Sequence, residues 1–277
     1  RSDTGDLHLK RHATWGMQVN DPTDYMMIQM GAGNDVLTRT STTGRIRLDY
    51  SDATGGIVVN LGAAAGAAQI TNDGRGGQDR IAFGPGLGMT NGALEIAGSN
   101  FADVMTGASV NDRFVMTAGN DTVNGGDGTD LVRYDRSNFT SLQVDLGLGV
   151  ATGQVTTAFG TQNFAHSLSS IERVRGGNSD DMIIGRASGS TEIETRSGAD
   201  TVVYRGGSMV VTDFVGGAGT SDTLRIIGVA GVTDAASALS MAAQVGADTV
   251  FTFAGGGTIA GPCIARHRLG LADNVEL

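Results

Sequence analysis

Four aspartates, Asp103, Asp112, Asp121 and Asp130, stand nine residues apart without a slip, and two residues after each comes a hydrophobe: Met105, Phe114, Val123 and Val132. A fixed nine-residue period restricts the fold more than any other feature, because it matches neither a helical heptad nor a free-standing hairpin. The last unit, Gly125-Gly126-Asp127-Gly128-Thr129-Asp130-Leu131-Val132, is the fullest copy, with glycines at the first, second and fourth positions and Asp at the sixth. A six-residue Gly/Asp turn plus a three-residue strand makes half a coil, so eighteen residues close one turn of a two-sided solenoid. Asp103 then stacks on Asp121 along one edge and Asp112 on Asp130 along the other, about 4.8 Å apart. The residue two after each Asp fills the space between the two sheets.

Weaker copies surround this run. Gly31 to Leu37 carries Asp35, Gly74 to Ile81 carries Asp79, and Gly176 to Ile183 carries Asp181. Ser197 to Val202 carries Asp200 after a gap of 19, with Thr191 at the intermediate Asp position, and Asp213 and Asp222 are again nine apart, followed by Val215 and Leu224. A longer repeat is superimposed: Tyr50, Val59 to Gly62, Glu95 and Gly98 to Asp103 find counterparts in Tyr134, Val144 to Gly147, Glu172 and Gly176 to Asp181. Residues 62–93 and 147–170 read as variable, loop-like stretches between strand segments.

Composition sharpens the same picture. There are 44 glycines but three prolines, and Asp supplies 24 of the 29 acidic residues. That is turn chemistry in a chain whose 40% hydrophobic content is incompatible with disorder. The net charge of −10 and the lack of any Lys/Arg block argue against nucleic acid or an anionic membrane as partner. One cysteine, Cys263, excludes an internal disulfide framework and a Cys-based zinc site. No apolar run is long enough for a transmembrane helix. The chain begins Arg1-Ser2-Asp3, which reads as a processed product or the tail of something longer.

Stacked bare carboxylates at about 5 Å repel by about 0.8 kcal/mol in water and about 3 kcal/mol at an effective dielectric of 20. A hard divalent cation between successive turns reverses that sign. Calcium fits, because it accepts six to eight oxygens in loose geometry, mixing carboxylates with carbonyls, whereas magnesium demands a stricter octahedron. The expected ligand set is Asp103, Asp112, Asp121, Asp130 and Asp127 with the turn glycines Gly119, Gly126 and Gly128. To these are added the weaker copies Asp181, Asp200, Asp222, Asp35 and Asp79, so several calcium ions are expected.

These nonapeptides resemble RTX proteins, the hemolysin-type calcium-binding repeat family. So do the segment Leu48 to Gly56 with Val59-Asn60-Leu61, and Val211-Thr212-Asp213-Phe214 followed by Asp222-Thr223-Leu224. The resemblance covers residues 31 to 277. It implies an all-β fold, a parallel β-roll (two-sided right-handed β-solenoid) with a small C-terminal helix plus strands. It also implies a secreted, extracellular or cell-surface protein that folds on calcium outside the cell. Export would be through the type I secretion apparatus, addressed by an uncleaved C-terminal signal.

The expected organisation is an N-terminal cap or stump at 1–30, a first β-roll unit at 31–135, a second, degenerate one at 136–228, and a cap with secretion signal at 229–277. In that last part Thr233 reads as an N-cap, Asp234 to Val245 as a short helix, and Asp248 to Phe253 with Thr258-Ile259 as a hairpin. Gly261 to Arg268 is basic where the family carries an apolar strand.

No catalytic signature accompanies the repeats. His8 and His12 are four apart but lack a glutamate between them, and G-x-S-x-G is absent. The one cluster with catalytic residue types is Arg133, Tyr134, Asp135, Arg136 and His166, which would make a polysaccharide-modifying module. The expectation is a non-enzymatic chain. A structural or adhesive surface-layer-like protein is the alternative, with self-association or contact to a cell surface or polysaccharide.

Overall fold

A computed structural model describes residues 7–10, 14–17, 25–39, 44–64, 66–91, 94–216, 222–262 and 275–276. The chain divides into two compact units, one made of Arg1–Val132 with Ala165–Ile171 and the other of Arg133–Phe164 with Glu172–Leu277. The fold is nearly all-β and rich in parallel pairing, with a single short helix among the described residues.

In the first unit, Leu7–Lys10, Tyr25–Gln29, Arg45–Asp49, Leu94–Ala97 and Arg113–Val115 run parallel in one sheet. Val58–Asn60, Val104–Thr106 and Thr122–Asn124 form a second, with Ile70–Asn72 antiparallel on its edge and Ser167 to Ser169 beside Thr122–Asn124. A smaller parallel sheet joins Thr14–Met17, Val36–Arg39 and Arg80–Phe83. Three-residue strands alternate with Gly/Asp turns through 104–133, as the nine-residue period requires. The eighteen-residue coil is explicit in the register, Val104 opposite Thr122 and Glu95 opposite Arg113. Met105, Phe114, Val123 and Val132 are all fully buried, so each coil contributes its hydrophobe to the core.

In the second unit, Arg173–Arg175, Ser190–Glu194 and Ser208–Val211 are parallel, as are Asn138–Asp145 with Met182–Ile184, Thr201–Tyr204 and Thr223–Ile226. The coil lengthens to 19 residues between Arg173 and Glu192 and to 22 between Thr201 and Thr223. Leu224 is buried as expected, but Val215 is 55% exposed, in a turn where its N–H binds the Asp222 carboxylate instead.

Two local expectations are corrected. Residues 62–93 and 147–170 are not wholly loop-like: the first holds the strands Ile70–Asn72 and Arg80–Phe83, and in the second Val150–Thr157 and Gly160–Ser169 are long strands, Val150–Thr157 antiparallel to Asn138–Asp145. Alternation drives them, with Ala151, Val155, Phe164 and Leu168 buried between exposed polar residues. The helix is only Ala235–Ser240, and its N-cap is Asp234, whose side chain accepts Ser237 N–H in a capping box. Ala242–Val245 instead pairs with Asp248–Thr252, which forms the expected hairpin with Thr258–Pro262. Cys263 to Asn274 lies outside the described residues, and so do most of residues 1–24.

The glutamates differ from the repeat aspartates in their partners. All four glutamates with described side chains bind arginine: Glu95 with Arg47 and Arg113, Glu172 with Arg186, Glu192 with Arg173, and Glu194 with Arg175 and Arg196. The longer arm spans neighbouring strands, whereas the repeat aspartates turn inward.

Candidate functional site

Asp35, Asp79, Asp103, Asp112, Asp121, Asp130, Asp181, Asp200 and Asp222 are all buried to within a few per cent. Asp127 is exposed and stands outside this set. Each buried carboxylate sits where backbone amides converge. In three of the turns the carboxylate accepts the N–H four residues back: Ser99 to Asp103 at 2.7 Å, Ala108 to Asp112 at 2.6 Å, and Gly177 to Asp181 at 2.6 Å. A second set of bonds joins coils, in which a carboxylate takes the amide of the equivalent Asp one coil earlier. Asp103 N–H donates to Asp121 Oδ1 at 3.1 Å, Asp112 to Asp130 at 2.6 Å, Asp181 to Asp200 at 2.8 Å, Asp200 to Asp222 at 3.1 Å, and Asp35 to Asp79 at 3.0 Å. The expected stacking of Asp103 on Asp121 and Asp112 on Asp130 is therefore present, joined by side chain to backbone bonds.

Glycine is required by the closeness of the turns. Gly119, Gly126 and Gly128 have φ of 116°, 91° and 135°. A Cβ there would press on the carbonyls of Phe101, Ala108 and Val110 in the adjoining turn. Carbonyl oxygens and buried carboxylates thus line the same edge.

The carboxylates are of two kinds. Asp79, Asp103 and Asp222 have both oxygens bonded. Asp79 takes Tyr50 O–H at 2.9 Å besides the Asp35 amide; Asp103 takes Ile57 N–H at 2.8 Å and Ser99 O–H at 2.6 Å; Asp222 takes Val215 N–H at 2.8 Å. In contrast Asp181 Oδ1, Asp200 Oδ2 and Asp121 Oδ2 are buried without a hydrogen-bond donor. So is Oδ2 of Asp73, a residue the nine-residue pattern does not single out, whose Oδ1 takes Arg75 and Gly77 N–H.

Burial dominates the electrostatics. It pushes Asp181 and Asp200 up to about 7, with neighbouring carboxylates adding to the shift, and Asp79, Asp103 and Asp112 up to about 6. Asp121 rises to about 9, from burial and then the charge of Asp103, and burial lowers His166 to about 4. A buried carboxylate oxygen without a donor is costly unless a proton or a cation meets it.

Those oxygens and the nearby carbonyls are hard donors of the kind calcium takes, so the residues fit the expected metal at Asp181, Asp200 and Asp73. Among the described residues no three His, Cys, Asp or Glu side chains converge as a ready-made cage. Any cation between turns would take most of its oxygens from the backbone. At Asp79, Asp103 and Asp222 the protein's own donors fill the positions instead.

Sequence reading missed a second ladder. The residue before Asp35, Asp112, Asp121 and Asp181 carries an amide or carboxylate that accepts from the following coil: Gln78 N–H to Asn34 Oδ1, Thr129 to Asn111, Ala165 to Asn120 at 2.9 Å each, and Ala199 to Asp180 at 2.8 Å. The signal was the recurring Asn-Asp or Asp-Asp pair. Thr191, in the degenerate coil, substitutes for the missing Asp by accepting Arg186 N–H, five residues back rather than four.

In the cluster with catalytic residue types, several side chains are packed or ion-paired. Tyr134 is fully buried, edge-on to Phe139 at 5.0 Å and stacked with Phe164 at 6.4 Å. Asp135 is gripped by Arg133 through two bonds of 2.7 Å, and neighbouring arginines hold its carboxyl below the usual range. His166 faces Asp121.

No protein-family model and no curated protein matches the chain. Among solved structures it is similar to the extracellular lipase LipA from Serratia marcescens, at 17% sequence identity and a TM-score of 0.21, over 69% of this chain and 40% of that one.

Proposed function

We propose that this chain is a calcium-binding β-roll region of a secreted RTX-type protein, folding when calcium enters its turns outside the cell and supporting export by type I secretion. The reading is carried by Asp181 Oδ1 and Asp200 Oδ2, buried in successive coils with no donor to satisfy them. Calcium supplies the positive charge those oxygens lack, and the chain's own part is to hold them in register through the Asp181 amide bond to Asp200. Extracellular calcium modules bind at roughly 10⁻⁴–10⁻³ M, far above cytosolic levels, so the acidic turns would stay open inside the cell and close outside. An open chain is what a secretion conduit accepts. No described helix is long and apolar enough to cross a membrane.

We read the chain as non-enzymatic, since Tyr134 is sealed in an aromatic cluster and Asp135 is tied to arginine. The test of the main reading is circular dichroism in chelator and in millimolar calcium near neutral pH. Loss of β-signal in chelator and its return with calcium supports the reading, and identical spectra overturn it.

The surface-protein alternative draws on Phe159 and Leu148, 83% and 73% exposed at strand connections. Calcium-dependent self-association in light scattering, abolished by Phe159→Ser with Leu148→Ser, would favour it.

A further inference from the structure

We propose that the outward sheet face of residues 138–163 binds a neutral polysaccharide. Along 137–163 the chain carries one charged residue, Asp145, whereas 17% of the whole chain is charged. Asp145 is buried and accepts Arg205 Nη1 at 2.9 Å, so its charge is met within the chain. Alternation turns Phe139, Val155 and Phe164 inward and leaves Thr140, Thr152, Gln154, Thr156, Thr161 and Asn163 exposed. A face of hydroxyls and amides results, on a chain whose net charge is −10.

These side chains hold one another across the strands. Gln154 Nε2 donates to Asn163 Oδ1 at 3.2 Å, and the Thr156 and Thr161 hydroxyls meet at 2.9 Å. Thr140 stands opposite Gln154, and Asn138 opposite Thr156. Beneath them the Phe139 and Phe164 rings pack edge-on at 5.1 Å, which gives the face a rigid support. From Thr152 to Thr156 the face is about 13 Å long, and its three strands make it about 10 Å wide, room for a few sugar rings. Because the side chains are already ordered, a ligand loses little of its binding energy in fixing them.

The chemistry of the face selects the partner. An amide offers donor and acceptor side by side and a hydroxyl offers both on one atom, which is what the hydroxyl groups of a sugar require. Beyond their mutual bond, Gln154 keeps its carbonyl oxygen and Asn163 its NH₂ for an outside group. Phe159, 83% exposed between the second and third of these strands, adds an apolar ring for the CH face of a sugar. Its backbone is anchored by N–H donation to Thr157 Oγ1 at 3.1 Å. An acidic polysaccharide or a phosphate surface calls for arginine or lysine, and residues 137–163 contain neither. A second protein fits less well, since protein interfaces centre on aromatic, Met and Arg side chains. The inference stands on this face alone and holds whether or not the turns bind calcium.

The test runs the full chain, folded in calcium, through native gels containing hydroxyethylcellulose, galactomannan or dextran, with polygalacturonate as the acidic comparison. Retardation by at least one neutral polymer is expected, and it should persist at high salt because no charge takes part. In Gln154→Ala with Asn163→Ala, and separately in Phe159→Ser, the apparent affinity should fall about tenfold, as loss of hydrogen bonds or of a stacked ring implies. Circular dichroism and calcium content of the variants should match the parent, so failure of this face and failure of calcium-driven folding read separately. No retardation by any neutral polymer, retardation by polygalacturonate alone, or unchanged affinity in both variants overturns the proposal. If those variants fail to fold, Thr156→Arg decides, since it sets a bulky side chain at an exposed position in the middle of the face. Lost neutral-polymer binding then supports the site, and unchanged binding overturns it.

Discussion

Asp112 gives its backbone N–H to Oδ1 of Asp130, eighteen residues ahead, at 2.6 Å, while one residue earlier Asn111 Oδ1 receives the N–H of Thr129 at 2.9 Å. The two bonds run in opposite directions across one step between coils. The same reciprocal pair joins Asp181 to Asp200 and Asp180 to Ala199. Every such step therefore satisfies turn amides that the three-residue strands leave outside the sheet ladder. The aspartates are structural acceptors first, and only those with an oxygen left over are placed to meet a cation.

Asp103→Asn and Asp200→Asn should separate these roles. An amide at Asp103 turns an NH₂ toward donors, costing roughly 1–3 kcal/mol for unsatisfied buried groups, with calcium stoichiometry unchanged. At Asp200 the donor-free oxygen is the one at stake, so Asp200→Asn should lower calcium stoichiometry. Isothermal calorimetry with denaturant melts reads both quantities, and equal loss of calcium in the two variants would contradict the division.

Without calcium, acid should favour folding. Asp181 and Asp200 are raised by burial to about 7 in the folded chain, against about 3.9 for an unfolded aspartate. Between about pH 4 and 7 the folded state then binds more protons than the unfolded one. Its stability is greatest below the unfolded value and is lost as pH rises through the folded one. In chelator the β-signal should be stronger at pH 5 than at pH 8. A signal that strengthens from pH 5 to 8 in chelator would refute this.

Gly107→Ala should destabilise although its φ is ordinary. A Cβ there would overlap the Gly125 carbonyl and sit 2.6 Å from Asp112 Oδ2, whereas at Gly88 it meets nothing within 4 Å. The expected loss at Gly107 is about 1–3 kcal/mol, as for other overpacked sites. Gly88→Ala should be neutral or gain up to about 1 kcal/mol through the unfolded chain. Urea midpoints of the calcium-loaded proteins provide the comparison.

Glu95→Gln should cost far more than Glu192→Gln. Glu95 is fully buried between Arg47 and Arg113, so neutralising it strands buried guanidinium charge, at roughly 3–5 kcal/mol. Glu192 and Arg173 are 39% and 31% exposed, which limits that pair to about 0–1 kcal/mol. Thermal melts in 1 M salt should erase the Glu192 effect and leave most of the Glu95 effect.

The nine-residue spacing alone determined the turns, the three-residue strands, the buried hydrophobes from Met105 to Val132 and the stacking of Asp103 on Asp121. Each follows from local geometry repeated at a constant step. Where the step varied, the sequence was silent. It gave no sign that Val58 lies opposite Val104, 46 residues on, or that 150–169 supplies paired strands. Coil-to-coil pairing across an excursion depends on what the excursion packs against, and no local pattern encodes that.

The same limit applied to the ladder chemistry. Nine identical-looking aspartates differ because Tyr50 reaches Asp79, Ser99 and Ile57 fill Asp103, and His166 meets Asp121. Which carboxylate oxygen is left without a donor is a tertiary outcome, set by donors arriving from up to 46 residues away, while the presence of carboxylates at that edge was written in the period itself.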